Sequence, residues 1–126
     1  MLSPDQGYLG RSYVTLKNHK SNLSELSKNE WEEYSDIVKL LENACAKAFN
    51  AVMFNWSCLL NNAYQEVPAQ PHVHWHFRPR YELLQHIAST TFNDPDFGHH
   101  YNRNQRDFID DPTRELIVNQ LRAALE

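Results

Sequence analysis

Three histidines at alternate positions, His72, His74 and His76, are the residues of this chain best placed to do chemistry. On an extended strand successive side chains point to opposite faces, so these imidazoles share one face and Val73, Trp75 and Phe77 share the other. The apolar set predicts a buried face. The histidine set is a row of groups that titrate close to neutral pH. Three readings follow from the residues. One is structural, polar rings on a wet sheet face with no task. A second is a metal site. Two histidines at i and i+2 can chelate zinc, but a third on a straight strand diverges from a tetrahedron. Glu66 and Asp94 stand in no ligand pattern with them. The third is covalent catalysis, in which one neutral imidazole attacks an electrophile while its neighbours manage charge and protons. Strict alternation, followed at once by Arg78-Pro79-Arg80, favours the third.

Such a strand needs elements to hold it. Ser12 to Lys17 (SYVTLK) follows the turn signals Gly7 and Gly10 and predicts a short strand, with His19 just beyond its end. Ser27 and Glu30 form a capping-box pair, after which Trp31, Tyr34, Val38, Leu41, Ala44, Cys45 and Ala48 recur at spacings of three and four. That pattern predicts one long helix reaching about Phe49. Its other face, with Glu32, Glu33, Lys39, Glu42 and Lys47, reads as solvated surface. Val52 to Leu60 has strand composition, and Asn61 to Gln70 reads as a polar loop. The histidine strand, His72 to Phe77, is predicted to end at Arg78-Pro79-Arg80, because Pro79 has no N–H for a ladder. Leu83 to Ser89 reads as a short helical turn, and Asn93 to Gly98 as turns. Asp111 and Pro112 are the predicted cap and first position of a C-terminal helix. Trp56 and Trp75 lie inside strands and read as core. His99 and His100, near Tyr101 and Arg103, read as a polar surface loop in preference to leaving-group contacts reaching over the site, and Arg78 and Arg80 as residues that end a strand in solvent or steer an anion.

Composition bounds the function. The 126 residues suit one domain with one core, at 41% hydrophobic and 22% charged. Six of the seven histidines lie between positions 72 and 100. A net charge of −4 argues against extended contact with a nucleic-acid backbone but leaves room for a small anionic ligand. No apolar run is long enough to span a bilayer, and Met1 to Gly10 lacks the apolar stretch of a signal peptide, so a cytoplasmic chain is expected. Cys45 and Cys58 fit neither a disulfide framework nor a metal spacing and read as core thiols.

The run His-Val-His-Trp-His-Phe resembles the signature of the histidine triad (HIT) superfamily. Other features follow in that superfamily's order: a strand closing on Lys17-x-His19, the Leu23-to-Leu26 loop, the long helix, the Phe54-to-Asn62 strand and the Arg-Pro-Arg tail. The resemblance covers roughly residues 7 to 81, and Asp94-Pro95-Asp96-Phe97-Gly98 is similar to the tail of some bacterial members. It implies an α+β fold, an antiparallel sheet packed on one long helix, with an added C-terminal helix and a shortened N-terminus. The whole chain is then one domain, 1–126, with a core at about 7–81 and a C-terminal extension at 82–126. The resemblance also implies a homodimer and a metal-independent enzyme with no cofactor. His74 would be the nucleophile, attacking the α-phosphorus of a nucleotide to form a nucleotidyl-histidine, with the carbonyl of His72 accepting from its second ring nitrogen. His72 and His76 would contact phosphate and leaving group, and His19 would complete the cluster. Asn61 or Asn62 would supply an amide to the phosphate. Substrates of this kind are dinucleoside polyphosphates, nucleoside phosphoramidates and related adenylates. A nucleotide-binding regulatory module without turnover and a zinc-binding module are the rival readings.

Two departures stand out. Members usually have two further strands ahead of the one at Ser12–Lys17, and these help enclose the nucleoside. Here that pocket is open, rebuilt by the C-terminal segment, or completed by a second subunit. Many members also carry a Gly-Gln-Ser/Thr run before the triad, where this chain has Pro68-Ala69-Gln70-Pro71, with Gln70 as the candidate substitute.

Overall fold

The structure is a computed structural model describing residues 1–126. Its elements are β1 (Ser12–Thr15), α1 (Lys28–Phe49), β2 (Met53–Ser57), β3 (His74–Arg80), β4 (Gln85–Ile87), β5 (Thr90–Phe92) and α2 (Asp111–Ala124), with short 3-10 turns at Leu23–Glu25 and Asn61–Gln65. Strands β1, β3 and β2 form an antiparallel sheet with β3 in the middle, and β4 and β5 form a separate hairpin. This is the expected α+β arrangement.

The apolar alternation decides how β3 sits. Val73, Trp75 and Phe77 are all buried, and Tyr34 of α1 stacks on Trp75 with ring centroids 4.0 Å apart. The helix starts where its local chemistry says. Ser27 Oγ accepts from Glu30 N (3.2 Å) while the Glu30 carboxylate accepts from Ser27 N (2.8 Å) and pairs with Lys20. These bonds satisfy free N–H groups of the first turn. Asn50, in the left-handed region at φ 61°, ends the helix. Glu42 departs from the expected solvated face: its carboxylate accepts from the Trp56 indole at 2.8 Å, tying α1 to β2.

Proline 79 does not end β3. It lies inside the strand, opposite Phe54. Val52 N donates to Arg80 O (3.0 Å), so the polar groups of Arg80 face β2 and those of Pro79 face the other side. On that side β1 begins only at Ser12, opposite Phe77, so its ladder does not reach Pro79 and no bond is missed. Conversely His72 precedes β3, yet it is held extended: Leu16 N donates to Val73 O (3.2 Å) and Val73 N to Lys20 O (2.9 Å). The predicted helical turn at Leu83–Ser89 is instead the β4–β5 hairpin, with Ala88 at φ 53° where a glycine or asparagine usually signals the turn. The cap of α2 is Asp110, whose carboxylate accepts from Thr113 N (2.9 Å), one residue before the predicted Asp111.

Residues 1–10 and 93–110 close the fold together. Gln6 N donates to Asp107 O (2.7 Å), Asp107 N to Asp5 Oδ1 (2.9 Å), Asn102 N to the Tyr8 hydroxyl (2.7 Å) and Gln105 Nε2 to Gly7 O (2.9 Å). One hydrophobic cluster runs from Leu2 and Leu9 through Phe49 and Phe77 to Ile87, Phe92 and Ile117, so both ends of the chain share it. No helix is long and apolar enough to cross a membrane.

Candidate functional site

The histidine face of β3 is open where the apolar face is closed, and each ring on it has a distinct setting. His74 Nδ1 lies 2.9 Å from the main-chain oxygen of His72. A carbonyl can only accept, so Nδ1 carries the proton and Nε2 keeps its lone pair. This is the carbonyl that the sequence reading named. His72 is fixed in the same way from the other ring atom, with Nε2 2.6 Å from Leu16 O. Its Nδ1 is therefore an acceptor in the neutral ring, and it faces His19 Nδ1 at 3.0 Å. His19 sits there because the extended stretch after β1 runs alongside residues 72 and 73. Rings 74 and 76 meet edge to face with centroids 5.0 Å apart. The structure thus brings all four histidines into one run: His19 on His72, His72 through its carbonyl on His74, and His74 on His76.

His76 sits in the drier part of the run. Burial pushes its pKa down to about 4, with the charges of His74, Arg78 and Arg11 acting in the same direction. Its Nδ1 is buried without a hydrogen-bond partner. This ring is neutral at physiological pH.

His76, alone of these four histidines, also lines a cleft of about 610 Å³. Asn61, Asn62 and Arg78 line it with His76. Gln70 does not line this cleft and lies exposed in the loop before β3. The far wall comes from Arg11 and Tyr13, on β1 and its approach, and from Tyr101, Arg103 and Arg106 of the 93–110 segment. Residues from both ends of the chain therefore build a wall beside His76. His100 lines the cleft and His99 does not, although both side chains are exposed.

Arg80 corrects the expectation of a strand end in solvent. It is fully buried, and all five of its N–H donors are used. Nε and Nη2 grip Asp94 (2.7 and 3.0 Å), Nη1 reaches Asn55 Oδ1 (2.9 Å) and His99 O (2.8 Å), and Nη2 also reaches Asp96 O (3.0 Å). Asp94, weighed above as a metal ligand, is thus the partner of Arg80. Together they fix the loop that carries His100 and Tyr101. No group of three or more His, Cys, Asp or Glu side chains is arranged to hold a metal ion.

No protein-family model and no curated protein matches this chain. Solved structures do. A hypothetical histidine triad nucleotide-binding protein from Sulfolobus tokodaii superposes with a TM-score of 0.66 at 21% identity, covering 98% of this chain and 74% of that one. A Hit-like protein involved in cell-cycle regulation from Bartonella henselae gives 0.64 at 20%, covering 98% and 77%. A zinc-bound histidine triad family protein from Mycobacterium smegmatis gives 0.58 at 21%, covering 98% and 74%. The chain has the histidine triad fold.

Proposed function

We propose that this chain cleaves a phosphoanhydride or phosphoramidate bond at the α-phosphorus of a nucleotide, through a nucleotidyl group carried on His74. The observation that carries the reading is the 2.9 Å bond from His74 Nδ1 to the His72 carbonyl, which leaves Nε2 as an unprotonated nitrogen on the open face. In the first step the P–Nε2 bond forms. The bond from phosphorus to the leaving oxygen or nitrogen breaks, and the leaving group takes the electron pair, an oxygen departing as a phosphate anion and a nitrogen taking a proton from solvent to depart as the amine. In the second, water attacks the same phosphorus and gives up a proton to solvent, the P–Nε2 bond breaks with its electron pair returning to Nε2, and a nucleoside monophosphate departs. Charge on the equatorial oxygens needs fixed donors. Asn61 and Asn62, beside His76 in the cleft, are suited to give them. The Sulfolobus neighbour, a histidine triad nucleotide-binding protein by description, supports the substrate class.

The test is a screen of purified protein, with EDTA present, against dinucleoside polyphosphates and adenosine phosphoramidate. The reading expects monophosphate release that falls at least about 10³-fold in a folded His74→Ala variant. Nucleotide binding without release would favour the regulatory-module reading. Full activity in folded His74→Ala would remove the mechanism.

A further inference from the structure

We infer that the arginines beside His76 form a clamp for an oligophosphate leaving group, which makes a nucleotide with several further phosphates the preferred substrate over an amine-bearing phosphoramidate. This inference rests on the nucleotidyl-transfer reading above for where the α-phosphorus sits, but its binding arm stands independently.

The charge in the cleft runs against the charge of the chain. Overall the protein is acidic, at −4, with 12 lysines and arginines. Four of those, Arg11, Arg78, Arg103 and Arg106, line this one cleft, against a single carboxylate, Asp5. That carboxylate is already engaged. It pairs with Arg11 Nη1 at 2.6 Å and accepts from the main-chain N–H groups of Gly7 and Asp107 at 3.0 and 2.9 Å. Arg78 has no carboxylate partner among the ion pairs of the protein. Its guanidinium instead lies over the Tyr101 ring, 4.0 Å from the centroid. Burial and the neighbouring charge of Arg11 both work against holding a proton on it. Two like charges are thus held close together in a partly desolvated place, which stability alone does not favour.

Two further observations point to the same spot. The two buried side-chain nitrogens of the molecule without a hydrogen-bond partner are Arg11 Nε and His76 Nδ1, and both belong to residues of this cleft. Buried polar groups are ordinarily paired, so their coincidence in one cleft marks a place shaped for binding more than for folding. Position supplies the direction. Arg78 follows His76 by two residues on β3 and so continues the histidine face, placing the clamp next along the strand from His74 and His76. A neutral His76 gives the departing group no charge, and the guanidiniums supply it. Guanidinium forks match phosphate oxygens in planar, bidentate pairs. A protonated amine leaving group would meet repulsion there.

Inorganic tripolyphosphate is the probe for the subsite. Its affinity is measured by calorimetry at fixed ionic strength for wild type, Arg78→Gln with Arg103→Gln, and Arg78→Lys with Arg103→Lys, each with its urea midpoint checked. The inference expects at least a tenfold loss of affinity in the glutamine pair, partly restored by lysine. In turnover, the glutamine pair should lose at least tenfold more kcat/KM on a dinucleoside polyphosphate than on adenosine phosphoramidate. No measurable tripolyphosphate binding, binding unaffected by the glutamine pair, or equal losses on both substrates would overturn the clamp. Arginine-dependent binding of tripolyphosphate by a protein that turns over neither substrate would keep the clamp and refute the proposed reaction.

Discussion

Replacing Arg80 with methionine should destabilise this protein by about 3–5 kcal/mol, the range for removing one partner of a buried ion pair. The change keeps side-chain length and bulk but deletes five donors whose acceptors are Asp94, Asn55, Asp96 O and His99 O. The expensive loss is at Asp94. Its side chain is 1% exposed, and without Arg80 only the main-chain N–H of Tyr81, at 3.1 Å, still donates to it. Asp96 and His99 lie nearer the surface and can bind water instead, so their oxygens add little. A domain of this size has a total stability on the order of 5–15 kcal/mol, so the variant would sit close to its threshold. With an m-value of about 1–3 kcal/mol/M in urea, the midpoint should fall by roughly 2 M. Adding Asp94→Leu removes the stranded charge and should recover about 1–2 kcal/mol relative to Arg80→Met alone. An Arg80→Met protein within about 1 kcal/mol of wild type, or a double variant less stable than the single one, would refute the view that this pair fixes the 94–101 loop.

Two other predictions concern pH and backbone packing. His76 is held neutral by burial, so protons favour the unfolded chain once the pH falls below its unfolded pKa near 6.5. Stability should therefore decline from about pH 6.5 toward about pH 4, and His76→Gln should flatten that limb in urea midpoints measured across pH. A Cβ at Gly7 would stand 2.1 Å from Gln105 O, so Gly7→Ala must push the 102–107 stretch away. Weaker tripolyphosphate binding together with lowered stability is the expected outcome, and an unchanged urea midpoint would contradict the close approach.

What was legible in the sequence was local. Alternation at 72–77 identified both the buried Val73, Trp75 and Phe77 and the shared histidine face, because a period of two needs no knowledge of the rest of the fold. The Ser27–Glu30 box likewise acts within four residues and marks the start of α1. What was not legible depended on partners far along the chain. Arg80 reads as a surface residue until Asp94, fourteen positions on, closes on it. Pro79 is compatible with a strand only because β1 begins at Ser12, short of pairing with it. The β4–β5 hairpin turns at Ala88, without the glycine that would have signalled it. The arginine wall exists because residues 5–11 meet residues 101–108, a closure for which no spacing or motif gives warning.

The central claim is that phosphorus bonds to Nε2 of His74. Its direct measurement is an acid-sensitive label: protein in excess over a dinucleoside polyphosphate radiolabelled at the α-phosphorus, quenched in alkali within the first turnover, digested and mapped. Label on the peptide carrying His74, absent from a folded His74→Asn variant, is the predicted result. Wild-type protein that releases labelled monophosphate while the label never appears on His74, or appears on another residue, would contradict it.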